Sequence, residues 1–146
     1  MHREGDLAIY RDRIAAEIVF SSGIPITGVG LDVTEQCKLN AADLERLKTA
    51  HNPASDFLFH LIELWQKDNP GHFPTLHDPL AVATAVRASI VETQSGTVEV
   101  ETASPAFYGA TVFTLGKGTT QVAKTVNVRE FLDLFMERVA APPRHP

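Results

Sequence analysis

With 146 residues, of which 44% are hydrophobic and 21% charged, the chain has the size and composition of one globular domain with its own core. Its formal net charge is -5, its Lys and Arg residues form no basic stripe for nucleic acid, and no apolar run approaches the roughly 20 residues of a membrane span. The single cysteine, Cys37, excludes an internal disulfide framework, and we expect an inert thiol in a reducing cytoplasm.

The first third of the chain predicts a helix followed by a strand. Four apolar residues of RDRIAAEIVFSSG fall on one helical face: Ile14, Ala15, Ile18 and Val19. Gly23 suits the positive φ at which helices commonly end. The nearly all-apolar stretch from Ile24 to Leu31 is typical of a strand in a parallel sheet, covered on both faces. It delivers Asp32 and Thr34 at its carboxyl end, where open α/β sheets place their ligands.

Two further helices are predicted before a Pro-rich loop. Asn40 can cap a helix through AADLERLKTA, with Asp43 in its first turn. A second helix is predicted from about Ser55 to Lys67. Its apolar stripe has the i, i+3, i+4, i+7 spacing and comprises Leu58, Leu61, Ile62 and Trp65. The loop DNPGHFP then leads into the motif LHDPLAVA.

The last third predicts strands of the same sheet and a closing helix. Three segments alternate in the manner of strands: TVEVET, ATVFTL and QVAKTV. GKGTT is a turn between the last two of them. NVREFLDLFMERVA is the clearest helix, with Asn127 as its cap and Glu130 three residues on, as in a capping box. Its predicted buried stripe is Leu132, Phe135, Met136 and Val139.

The histidine and aspartate of the HDP motif each have two interpretations. Asp78 precedes Pro79, which is favoured at the first helical position, so its carboxylate can be a helix N-cap or a cation ligand. The two roles can coexist, because one oxygen can cap the helix while the other binds a cation. His77 lies just before a predicted helix that is apolar all round, so an imidazole expected to be buried there is either a satisfied structural group or a functional one. A third hypothesis is a zinc site with His72, His77 and Asp78 as ligands, although their spacing matches no recognised zinc pattern.

Two stretches, AAEIVFSSGIPITGVGLDVT and LHDPLAVA, resemble the carboxyl-terminal half of the inosine–uridine-preferring nucleoside hydrolases. The likeness continues through VEVETASPAFYGATVFTL and VNVREFLDLFMERV and so covers nearly the whole chain. The resemblance implies a nucleoside hydrolase-like α/β fold, a Rossmann-like mixed sheet flanked by helices, incomplete relative to the family. We expect a single domain as far as residue 141 and a disordered tail over residues 142–146.

The resemblance also implies an enzyme of nucleoside salvage that hydrolyses the N-glycosidic bond of ribonucleosides with a bound calcium. It implies that Asp78 is a calcium ligand and that His77 is the candidate proton donor to the leaving base. Breaking this bond builds oxocarbenium character on the ribose and negative charge on the base, so the site needs a cation and an acid. Trp65 either packs in the core or offers a stacking surface to a base whose identity the sequence does not reveal.

Among the departures of the chain from the family pattern, two concern acidic side chains of the site. Family members open with Asp-x-Asp-x-x-x-Asp-Asp, which gives most of the calcium ligands, and this chain has no such cluster. Where the family has Glu-x-Asn to hold the ribose, this chain has Asp6-Leu7-Ala8, so Asp6 is the remaining candidate. One carboxylate cannot make a calcium site of six to eight oxygens, so we expect the chain alone to be inactive.

The expected partner is a second copy of the chain or a missing amino-terminal half. Loss of the first half of the family fold would expose a strand edge and an apolar helix face, which favours self-association. The alternative function is therefore a non-catalytic, oligomerising α/β remnant in which Asp78 acts only as a helix cap. A nucleoside and a protein surface are thus the two classes of partner that the sequence predicts.

Overall fold

A computed structural model describes residues 7–141 of the protein. The α-helices are α1 (Leu7–Arg11), α2 (Arg13–Ser21), α3 (Leu31–Thr34), α4 (Ala41–Thr49), α5 (Pro53–Asp68), α6 (His77–Val86) and α7 (Val128–Val139). A 3-10 helix spans Ala88–Ile90, and the strands are β1 (Ile26–Gly28), β2 (Val91–Val100), β3 (Thr111–Leu115) and β4 (Thr120–Val126). Within residues 7–141, every helix is too short or too polar to cross a membrane.

The described residues form two compact units. The first contains residues 7–33 and 91–125, and the second contains residues 34–90 and 126–141. The first unit therefore consists of two chain segments that are distant in sequence. It holds the sheet, whereas the second unit is built mainly from helices.

The first unit contains one mixed sheet with the strand order β1-β4-β2-β3. β1 runs parallel to β4, with Ile26 opposite Thr120, and β2 runs antiparallel to β3, with Val98 opposite Phe113. The predicted mixed α/β architecture is thus confirmed. β1 is shorter than the predicted strand, and Thr27 in its centre is exposed, so the expectation that both of its faces are covered is wrong.

The predicted end of helix α2 is confirmed, but its apolar face is exposed. Gly23 has φ 78°, the left-handed conformation that the sequence indicated. The apolar face is not buried: Ile14 is 53% exposed, Ile18 59% and Val19 46%. Amphipathic periodicity predicted the helix correctly, but the described part of the chain does not cover this face.

A short loop after β2 is ordered by the carboxylate of Glu101. The backbone N–H groups of Ser104 and Ala103 donate to Glu101 Oε1 at 2.9 and 2.7 Å. These hydrogen bonds favour the charged form and lower the pKa of Glu101. Arg13 also approaches this loop, with its guanidinium carbon 3.9 Å from the centre of the Tyr108 ring.

The second unit confirms the predicted cap of α4. Asn40 Oδ1 accepts from the backbone N–H groups of Ala42 and Asp43 at 2.8 and 3.2 Å, and Asp43 Oδ2 accepts from Asn40 N–H at 3.0 Å. This reciprocal arrangement is a capping box. α5 begins two residues before the predicted start, because Asn52 caps it and Pro53 occupies its first position.

Asn52 joins the start of α5 to the end of α7. Its Oδ1 accepts from the N–H groups of Ala54 and Ser55, each at 3.0 Å. Its Nδ2 donates to the carbonyl oxygens of Val139 and Ala141 at 3.1 and 2.9 Å. The side chain is buried, so all of these backbone groups depend on one amide.

Replacing Asn52 with Ala should therefore cost more than replacing the exposed cap Asn40. We expect Asn40→Ala to lower the free energy of unfolding by about 1 kcal/mol, the usual value for a cap. Asn52→Ala removes a cap and two further hydrogen bonds, for a loss of about 2 to 3 kcal/mol. Urea denaturation of both variants measures the difference, and equal losses would contradict the linking role of Asn52.

Helix α7 is confirmed, but its predicted buried stripe is wrong in part. Met136 is buried as predicted, at 1% exposure. The other buried residues are Phe131 and Leu134, whereas Leu132, Phe135 and Val139 are only half-buried. α7 contacts α4, α6 and the 3-10 helix, so it packs on more than one side and no single stripe describes its burial.

Candidate functional site

The HDP motif begins helix α6 two residues earlier than predicted, since Pro79 was the predicted first helical residue. The helix starts at His77, and Leu76 at the N-cap position makes no side-chain capping hydrogen bond. Asp78 is therefore the second helical residue and Pro79 the third, so the prediction that Asp78 caps this helix is wrong. The physical reason lies just before the motif, where Leu76 N–H donates to the carbonyl of Cys37 at 2.8 Å and fixes the chain at the helix entry.

The carboxylate of Asp78 is accessible. Asp78 lies in the first turn of α6 and is exposed. Over residues 7–141, its side chain takes part in no hydrogen bond or ion pair that the structure gives. The helix dipole favours a negative group at this end of the helix. The side chain is thus held on a rigid element with its oxygens available to a ligand.

His77 has a partner at each ring nitrogen. Nδ1 shares a hydrogen bond of 2.8 Å with Thr34 Oγ1, and Nε2 lies 3.9 Å from Glu35 Oε1. Thr34 is buried at 3% exposure, whereas the His77 side chain is 41% exposed. The expectation that the start of α6 is buried is therefore wrong, and the imidazole remains open to a ligand. Glu35 was not predicted as a site residue, and only its position next to Thr34 points to it.

Cys37, close to this site in sequence, is a packing residue. Its side chain is fully buried, and burial raises the pKa of the thiol from 9.0 to about 11. A thiol with this pKa stays protonated near neutral pH and is a poor nucleophile. This agrees with the inert cysteine expected from the sequence.

The residues described do not complete a metal site. No group of three His, Cys, Asp or Glu side chains within residues 7–141 is arranged to hold a metal ion. The zinc set is therefore wrong, and His72 instead lies exposed with Nδ1 at 3.1 Å from the carbonyl of Pro70. Calcium requires six to eight oxygen ligands, so Asp78 alone does not make the site that the family expectation calls for.

The remaining predicted site residues have different positions. Trp65 lies on α5 and is 39% exposed, so its ring is not part of the core and retains free surface. Asp32 lies in the first turn of α3 and is exposed. Asp6 lies outside the described residues. The structure thus brings Thr34, Glu35 and His77 together, although they come from segments that are distant in sequence.

An apolar groove lies between α6 and α7, next to Asp78. Its volume is about 550 Å³, and its lining comprises Asp78, Pro79, Val82, Ala83, Val86, Phe131, Leu134, Phe135 and Arg138. Val82 is 65% exposed and Val86 is 68% exposed. Two valines so exposed on one helix indicate a surface that other protein can cover.

Comparisons with known proteins agree with this architecture. The family described as "Inosine-uridine preferring nucleoside hydrolase" matches residues 5–133. The pyrimidine-specific ribonucleoside hydrolase RihA of Salmonella gallinarum is 38% identical over 141 residues, which cover 90% of this chain and 45% of the relative.

Two solved structures show the same fold. The purine-preferring ribonucleoside hydrolase from Gardnerella vaginalis superposes with a TM-score of 0.80 at 34% identity, covering 90% of this chain and 45% of that one. A plant nucleoside hydrolase has a TM-score of 0.81 at 27% identity, covering 92% and 47%. The chain thus spans less than half the length of these relatives. Its matches in sequence and structure show that it belongs to the inosine-uridine preferring nucleoside hydrolase family.

Proposed function

We propose that this chain supplies the leaving-group side of a ribonucleoside hydrolase active site. One observation carries the proposal: the first turn of α6 presents two successive accessible side chains, the half-exposed imidazole of His77 and the exposed carboxylate of Asp78. His77 is the proposed proton donor to the departing base. Asp78 is the proposed ligand of a calcium ion.

The proposed role of His77 follows from the chemistry of N-glycosidic bond hydrolysis. The C1′–N bond breaks, and its electron pair leaves with the base. The base takes a proton from His77, while the oxygen of a water molecule bonds to C1′ and passes a proton to the solvent, from which His77 regains its own. An imidazole suits the donor role because it exchanges protons near neutral pH. Since the residues described do not complete a calcium site, the calcium proposal is limited to Asp78 as one ligand.

The proposed substrate is a ribonucleoside, and the proposed setting is nucleoside salvage in the cytoplasm. The names of the relatives support a nucleoside but differ in the base, since one is pyrimidine-specific and another purine-preferring. We propose that Trp65 stacks on the base, because aromatic rings bind bases through their faces and this ring retains exposed surface.

The α6–α7 groove is the proposed contact surface for the rest of the hydrolase fold. Relatives are more than twice as long as the matched region, so the family fold contains a large part that this chain does not span. The groove offers that part an almost entirely apolar lining. In the isolated chain we propose that a second copy covers the same groove, which makes the protein a homo-oligomer.

Reassembly tests the proposed activity. We expect the chain alone to be inactive, and the chain combined with the portion of S. gallinarum RihA that it does not match to hydrolyse uridine or inosine. Asp78→Asn in this reassembled hydrolase should abolish hydrolysis, because the amide is a neutral and weaker ligand. Release of free ribose measures the activity.

The control is RihA itself, divided at the same point. Two results together would show that the catalytic proposal is wrong. The two RihA portions regain activity with each other, whereas this chain binds the RihA portion that it does not match but hydrolyses nothing. That result would support the alternative function, a non-catalytic oligomerising module. Sedimentation of each mixture distinguishes failure to bind from failure to react.

A further inference from the structure

Thr34 forms a hydrogen bond with the proposed proton donor. Its hydroxyl lies 2.8 Å from His77 Nδ1 across 43 positions of sequence. The two segments are held in register by backbone contacts, since Lys38 and Thr75 form a β-bridge and Leu76 N–H donates to the carbonyl of Cys37. The contact is therefore part of a fixed backbone arrangement.

We propose that Thr34 is a positioning residue that fixes the orientation and tautomer of the His77 ring. Glu35 Oε1 lies 3.9 Å from Nε2, beyond hydrogen-bond distance, but its negative charge favours a proton on Nε2 of the neutral ring. Nδ1 is then an acceptor, and the Thr34 hydroxyl donates to it. This rests on the proposed function, in which Nε2 is the ring atom presented to the base. When the ring is protonated, the Thr34 hydroxyl can rotate and accept from Nδ1–H, so the same contact holds the ring that donates from Nε2.

Thr34 contributes more to this arrangement than Glu35. It is buried at 3% exposure, its β-branched side chain has few rotamers, and its carbonyl accepts from Cys37 N–H at 2.9 Å. The Glu35 side chain is 50% exposed, and ion pairs of exposed groups are weak. The hydroxyl therefore sets the ring orientation, whereas the carboxylate only biases the proton position.

NMR of the imidazole nitrogens in the full chain tests the proposal without any need for hydrolysis. The spectra are recorded at about two pH units above the ordinary histidine pKa, and His77→Gln identifies the resonances of His77 among the six histidines. We expect His77 to show Nε2–H together with an Nδ1 shift displaced by hydrogen bonding. Thr34→Val, which keeps the shape but loses the hydroxyl, should move Nδ1 to the shift of a solvated imidazole and increase ring mobility.

Thr34→Ser should restore the Nδ1 shift, and Glu35→Gln should change it less than Thr34→Val. If Thr34→Val does not fold, as judged by its backbone amide spectrum, Thr34→Ala provides the same comparison. An unchanged Nδ1 shift in a folded hydroxyl-free variant, or a proton on Nδ1 in the wild-type chain, would overturn the inference. The NMR experiment uses the chain alone and measures no hydrolysis, whereas the proposed function is tested by activity of the reassembled hydrolase. Failure of this inference and failure of the proposed function are therefore distinguishable.

Discussion

Replacing His77 with Gln in the reassembled hydrolase should lower kcat for a nucleoside by about 10² to 10⁴, the usual contribution of general acid catalysis. Glutamine has a similar reach and an amide that can pair with Thr34, but it has no proton to transfer to the base. Initial rates with uridine or inosine measure the loss. A variant with the rate of the wild-type chain would show that His77 is not the acid.

A riboside with an acidic leaving group provides the matched control for this experiment. A nitrophenolate leaves as a stable anion and needs no proton, so His77→Gln should hydrolyse this riboside at close to the wild-type rate. If the variant loses activity equally on the nucleoside and on this riboside, His77 supports the structure of the site and does not donate a proton. The comparison thus separates proton donation from general damage to the site.

Replacing both Val82 and Val86 with Glu should convert the isolated chain to a monomer. Burial of a valine side chain is worth about 1.5 kcal/mol or more, so loss of two such contacts weakens association on the order of 10²-fold. Burying the introduced carboxylates would cost still more. Sedimentation velocity across a concentration series measures the change, and the same variant should fail to reassemble with the RihA portion.

Phe57→Glu is the control for the groove variant. Phe57 is 65% exposed, close to the 65% of Val82 and the 68% of Val86, but it does not line the groove. It should leave association unchanged. If Phe57→Glu dissociates the chain as strongly, or if the double variant sediments as the wild-type chain does, the groove is not the contact surface.

Local rules predicted the helix ends well. Asn40 and Asn127 were recognised as caps because a cap depends only on the next few residues. At Asn127, however, the Glu130 carboxylate accepts from the side-chain Nδ2 at 3.1 Å, whereas a capping box uses the backbone N–H. Burial was harder to predict, as Ile18 and Phe131 illustrate, because it depends on which other elements cover a helix.

The candidate site was predicted only in part. Family resemblance indicated His77 and Asp78, but the helix begins two residues earlier than predicted, so Asp78 lies in its first turn and is not its cap. The contact between Thr34 and His77 depends on how two distant segments meet, and no local pattern encodes that. Glu35 likewise belongs to the site only because its carboxylate lies 3.9 Å from His77 Nε2 in the folded chain.

The pairing of β1 with β4 determines when the sheet can form during synthesis of the chain. Ile26 lies opposite Thr120, and β4 separates β1 from β2 in the sheet. On the ribosome, β1 therefore emerges long before the strand that it pairs with, and closing so long a loop costs entropy. Synthesis must reach β4 before this sheet can form, so a nascent chain that stalls earlier exposes an unpaired strand to chaperones and proteases.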